Sequence, residues 1–159
     1  MLTGAAYLAK ANAPSALTQR TTPFVKNSVR GLSRVKATFG IGAGGCALTL
    51  RFDPAEGGDG KLARYLTQEA LPRAVELPDI VGAHLLIADQ SASTVVPLER
   101  QGRPTVIPNW IVLIEGVSLE AVNGVGDTQL ADRTLHEHGC AGEVERGTYN
   151  LQIMVPRPQ

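Results

Sequence analysis

The segment Cys46-Ala-Leu-Thr-Leu-Arg-Phe52 places an apolar residue at every second position, the pattern of a strand with one buried face. Asp53-Pro54 and Gly57-Gly58 supply a turn, and Asp59 is suited to cap a helix over about Lys61 to Leu71, with Leu62, Tyr65 and Leu66 on one side. Pro72 and Pro78 are expected to end or kink it. Ile80 to Ala88 reads as a second strand and Asn109 to Gly116 as a third. A helix is expected from Ser118 to His138, weakened by Gly124 and Gly126 and stopped at Gly139, and Thr148 to Val155 reads as a fourth strand.

The N-terminal pattern is less regular. Residues 4–12 suit a helix, and Pro14 breaks it. Thr22-Pro23 is a good helix start, with Phe24, Val25, Val29 and Leu32 on one face. Arg34 to Phe39 alternates as a strand, and Gly40 to Gly45 makes a flexible connector. Residues 89–107, with Pro97, Gly102 and Pro104, form a long polar loop, either a lid over a cavity mouth or a disordered insertion.

From residue 46 the order is β-α-β-β-α-β, a ferredoxin-like unit of the α+β class. The expected strand order is 4-1-3-2, with strands one and three parallel and two helices covering one face. Alternation sorts the side chains. Cys46, Leu48, Leu50, Phe52, Val81, Ala83, Leu85, Ile87, Trp110, Val112, Ile114, Tyr149, Leu151, Ile153 and Val155 form an apolar set for the helices. The opposite set is mixed, including Thr49, Arg51, His84, Glu115, Asn150 and Gln152. A bare mixed face needs covering by a second sheet, so a homodimer or higher homo-oligomer is expected through it.

Composition narrows the partners. The 159 residues carry 15 Lys+Arg against 15 Asp+Glu, which argues against nucleic acid. No apolar run reaches the ~20 residues that span a bilayer, which argues against a membrane role. Cys46 and Cys140 cannot build a disulfide framework. Ala11-Asn12-Ala13 has the form of a cleavage site, but no basic residue precedes the apolar stretch and Lys10 sits just before the triplet. Both observations favour the cytoplasm.

Residues 46–155 resemble the dimeric α+β barrel superfamily, through Ile80-Val-Gly-Ala-His-Leu-Leu86, the strand Trp110-Ile-Val-Leu-Ile-Glu-Gly116 and the closing Gly147-Thr-Tyr-Asn-Leu-Gln152. The resemblance implies two ferredoxin-like sheets paired into a barrel. Ala6-Tyr7-Leu8, the Arg20…Pro23-Phe24…Arg30 stretch and Arg34–Phe39 look like the tail of a preceding repeat lacking its first three strands. Residues 1–45 are therefore expected to be a partial first repeat and 46–159 the barrel domain. Relatives of this kind include small monooxygenases, muconolactone isomerase-like enzymes and haem-binding barrels.

His84 is the only group on the mixed face that titrates near neutral pH, and so the candidate general base or hydrogen-bond donor. A histidine satisfied within a dimer interface is the simpler reading, since a lone His without a recognisable partner is a weak catalytic signal. Arg51 and Glu115 are expected to pair across the parallel strands, and Thr49 to neighbour Asn150. Thr49, Arg51, Glu115, Asn150 and Gln152 form the candidate ligand-binding set. The expected function is a cofactor-independent enzyme acting on a small apolar or aromatic molecule in the lumen. A non-catalytic binder and a purely structural oligomer are the alternatives.

Other motifs lack their context. Gly40-Ile-Gly-Ala-Gly-Gly45 matches G-x-G-x-x-G, but a strand follows where a dinucleotide site needs a helix. His136 and His138, two apart on a helix, point about 200° from each other, so no metal is assigned. No cofactor is assigned either: His84 has no neighbouring motif to support haem ligation. Cys46 is expected to be a buried inert thiol and Cys140 to lie in a loop.

Overall fold

The computed structural model describes residues 4–5, 9, 12–24, 32–89 and 110–153. The helix face through Val25 and Val29, most of the helix expected at 4–12, and all but residue 89 of the polar loop lie outside these residues. The chain divides into two compact units, residues 1–33 with 88–107, and 34–87 with 108–159. In the first, α1 (Ala16–Thr21) buries no residue, and the Thr18 amide donates to Ser15 Oγ at 3.2 Å as a cap.

The second unit is a five-stranded sheet with helices packed on one face. Its strands are β1 (Ser33–Gly40), β2 (Cys46–Pro54), β3 (Ile80–Ala88), β4 (Trp110–Gly116) and β5 (Cys140–Asn150). The order β1-β3-β4-β2-β5 contains the expected 4-1-3-2 arrangement, with β1 added beside β3. Its helices are α2 (residues 59–74), α3 (Leu119–Asp127) and α4 (Asp132–Glu137). The fold is mixed α+β.

The central pair is antiparallel, not parallel as expected: Leu48 lies opposite Ile114 and Phe52 opposite Trp110. The reason is a count of reversals. The α2 crossover returns β3 to the direction of β2, and β4 pairs antiparallel to β3, so β4 opposes both neighbours.

Helix α2 starts after Gly58, with Asp59 in its first turn where a carboxylate complements the helix dipole. It runs through Pro72 to Ala74 instead of stopping there. A π turn over Leu66–Ala70 explains this. Widening the helix there relieves a proline that has no N–H and whose ring crowds the preceding turn. The helix expected over 118–138 is split into α3 and α4. Ser118 caps α3, its Oγ accepting from the Ala121 amide at 3.2 Å. Gly126 is where α3 meets β2: a Cβ there would lie 2.9 Å from Leu48 Cδ2.

The fourth strand of the unit begins at Cys140, eight residues before the expected Thr148. Only Cys140 and Val144 of β5 are buried, so most of it shows no apolar alternation. Of the apolar run that suggested a strand, Tyr149 pairs with Ala47 and so lies on the open face instead of the expected helix side, while Leu151 and Ile153 are exposed because Cys46, the first residue of β2, already pairs with Asn150. The core is otherwise as the alternation implies except at the start of β3, where a bulge between Ile80 and Gly82 buries Ile80 in place of the expected Val81. Leu48, Leu50, Phe52, Ala83, Leu85, Trp110, Val112 and Ile114 pack against Leu62, Leu66, Leu71, Val122 and Leu135. Each large side chain so buried contributes about 1.5–3 kcal/mol.

Candidate functional site

The sheet face away from the helices is built from cross-strand rows, since directly paired residues share a face. One row is His84, Leu113, Thr49 and Gly147; the next is Gly82, Glu115, Ala47 and Tyr149; a third is Leu86, Ile111, Arg51 and Glu145. On β1, Thr38 extends the first of these, its Oγ1 lying 3.2 Å from His84 Nδ1. Apolar and polar groups alternate across this surface.

His84 and Glu115 converge over Gly82. A Cβ on Gly82 would meet His84 Nε2 at 3.0 Å and Glu115 Oε2 at 3.6 Å. The imidazole thus lies along its own strand in the space that a side chain at residue 82 would fill. One ring nitrogen is held by Thr38, and the other shares the space above Gly82 with a Glu115 carboxylate oxygen.

Several expected neighbours are separated. Arg51 stands opposite Ile111 and Glu115 opposite Ala47, so antiparallel pairing sets these two charges four residues, about 13 Å, apart. Arg51 instead donates from Nη2 to Glu145 Oε1 at 2.8 Å, while its buried Nε has no partner among the described residues. Asn150 points to the helix side, where its Oδ1 accepts from Cys46 Sγ at 3.2 Å, so it does not join Thr49. Thr49 Oγ1 donates to the Gly147 carbonyl at 3.3 Å. Gln152 is exposed beyond the end of β5. Thr38, Gly82 and Tyr149 were missed. A glycine in the middle of an apolar strand is the signal that marks Gly82, because it denotes close approach.

The remaining chemistry-bearing residues serve the fold. His136 Nε2 donates to the Gly142 carbonyl and His138 Nδ1 to that of Thr134, both at 2.8 Å. The His138 ring stacks on Tyr65 with centroids 3.7 Å apart. Among the described residues no three His, Cys, Asp or Glu side chains are placed to hold a metal. Cys46 is half-buried, and Cys140 lies buried on β5 where a loop was expected. Burial pushes the Cys140 thiol up, with Asp132 and Asp53 adding to the effect. Arg146 clips the end of α3, donating to the Gly126 and Leu130 carbonyls at 3.3 and 2.7 Å and pairing with Asp132. A shallow cleft of about 120 Å³ beside it, lined by Leu48, Asn123 and Thr148 among others, is below the size of ordinary ligand pockets.

Among the described residues no helix is long and apolar enough to cross a membrane. No family model matches the sequence, and no curated protein matches it. A solved structure does: that of an anthrone oxidase-like protein, with a TM-score of 0.58 and 17% sequence identity, covering 92% of this chain. This chain spans 66% of that protein's length. At that identity the likeness is one of fold.

Proposed function

We propose that this chain works as a homodimer or larger homo-oligomer of the α+β barrel type, closed through the open sheet face, and that the enclosed face acts on a small apolar or aromatic molecule. The observation that carries this reading is His84, held by Thr38 on one side and lying over Gly82, where a Glu115 carboxylate oxygen also approaches. In this reading the Thr38 hydroxyl accepts from Nδ1–H, which leaves Nε2 unprotonated. Nε2 takes a proton from an acidic C–H or O–H of the bound molecule, whose bonding pair stays on the molecule. Glu115 then lies close to the imidazolium that forms and favours it electrostatically.

Leu113, Ile111 and Leu86 give the face its apolar ground, and Thr49 and Arg51 its remaining polar groups. No cofactor enters this step. The two free cysteines suit a cytoplasmic protein.

The neighbour's name supplies a first probe. Anthrone is a tricyclic aromatic ketone whose ring methylene is acidic because the anion is delocalised. Under anaerobic conditions the wild-type protein should speed exchange of that methylene with deuterated solvent. His84→Ala should lower the rate about 10²-fold with the oligomer unchanged in native mass spectrometry. An unchanged rate in that variant would remove His84 from the chemistry. A loss of affinity alone would make the protein a non-catalytic binder.

The run of Leu86, Ile111 and Leu113 favours a second reading, a structural oligomer whose sheets pack dry. It predicts an oligomer that retains and takes up no small molecule.

A further inference from the structure

The open face carries a second ring seated on a glycine. A Cβ on Gly147 would lie 2.6 Å from Tyr149 Oη and 3.0 Å from Tyr149 Cζ, so the phenol folds back along β5 as the His84 imidazole folds back along β3. The two seats are in adjacent cross-strand rows: Gly82 lies in the row of Glu115, Ala47 and Tyr149, and Gly147 in the row of Thr49, Leu113 and His84. Thr49 Oγ1 gives its proton to the Gly147 carbonyl, so its lone pairs remain as acceptors.

We infer that Tyr149 is the second anchor of the His84 site and that it selects an elongated, flat molecule with a hydrogen-bonding group at each end. This rests on the reading of the open face as a ligand surface. The two seats are three inter-strand spacings and one row apart, about 16 Å at ~4.8 Å per spacing and ~6.6 Å per row. Subtracting a hydrogen bond of about 2.8 Å at each end leaves polar atoms on the ligand about 10 Å apart, the reach of three fused rings. The ground between is Leu113 and Ala47, flanked by the Glu115 carboxylate at the His84 end and by Thr49 at the Tyr149 end. Tyr149, half-exposed in the single chain, is a wet hydroxyl on an apolar ring, suited to meet a ligand end.

The test compares 2,6-dihydroxyanthracene, polar at both ends, with 2-hydroxyanthracene, polar at one, by fluorescence titration of the purified oligomer. The wild-type protein should bind the diol about tenfold more tightly. Tyr149→Phe keeps the ring on Gly147 and should erase that preference while leaving 2-hydroxyanthracene binding unchanged. Gly147→Ala displaces the ring and should have the same effect with the tyrosine still present. His84→Gln should weaken both probes. If Tyr149→Phe leaves the diol preference intact, or weakens both probes alike, while His84→Gln weakens both, the anchor is wrong and the site stands. If neither probe binds the wild-type protein, or if His84→Gln changes nothing, the site and the anchor fall together.

Discussion

The two faces of one sheet use the same strands in opposite ways. On the helix side, Leu50, Ala83, Leu85, Val112 and Ile114 are each 0% exposed. Their sequence neighbours Thr49, Arg51, His84, Leu86, Ile111 and Leu113 stay only partly covered. The covered face is apolar because the helices leave no room for hydration. The open face mixes polar and apolar groups, and its ion pair Arg51–Glu145 and its His84–Thr38 contact are made within the sheet. Stability therefore resides on the first face, and the second is available for recognition.

Truncation should expose this difference most strongly. Leu50→Ala should cost about 2–5 kcal/mol in a urea melt, because a fully enclosed site cannot collapse around the cavity. Leu113→Ala, one strand away on the open face, should cost about 1 kcal/mol or less under dilute conditions. Equal losses at the two positions would mean that the open face is already covered within the single chain.

A smaller effect is expected where β5 joins the helix layer. Arg146→Ala removes the donors that satisfy the Gly126 and Leu130 carbonyls, and should cost about 1.5–3 kcal/mol. Its side chain is about 30% exposed, so water can replace part of this and the lower end is expected. Hydrogen exchange should quicken first at the C-terminal end of α3. Uniform quickening across the sheet would show that the clip holds more than that turn.

The smallest effect is a slope. Burial raises the Cys140 thiol, and burial with Glu69 raises Tyr65 against a lowering by Arg73. Both groups are neutral when protonated, so the unfolded chain loses these protons first as pH rises. Their contribution is full below the ordinary thiol range and declines as pH climbs through and above it. Chemical melts from pH 7 to 10 should show stability falling, and Cys140→Ala should flatten the first part of that fall. A fall of unchanged steepness in the variant would assign it elsewhere.

Much of the fold was legible. β3 was placed residue for residue and β4 to within one, because both are apolar runs bounded by turn residues, β4 alternating in burial throughout and β3 broken once by a bulge between Ile80 and Gly82. β5 was not, since an edge strand with charged residues at 143, 145 and 146 buries too little to print a pattern. Candidate site residues were partly legible. Alternation put His84, Thr49 and Arg51 on one face, and the partners of all three came from other strands.

Periodicity by itself determined which residues of β2, of β4 and of β3 from Ala83 onward turn to the helices, because side-chain direction along a regular strand is a local property of the backbone. The bulge at the start of β3 exchanged Val81 for Ile80. Which strand lies beside which register partner is a non-local outcome of the crossover and of where each strand ends. That outcome gave Arg51 to Glu145 instead of Glu115, turned Asn150 to the covered side, and set His84 over Gly82 and Tyr149 over Gly147. Pairing across strands is decided by packing the whole sheet at once, and no single segment of the chain carries that information.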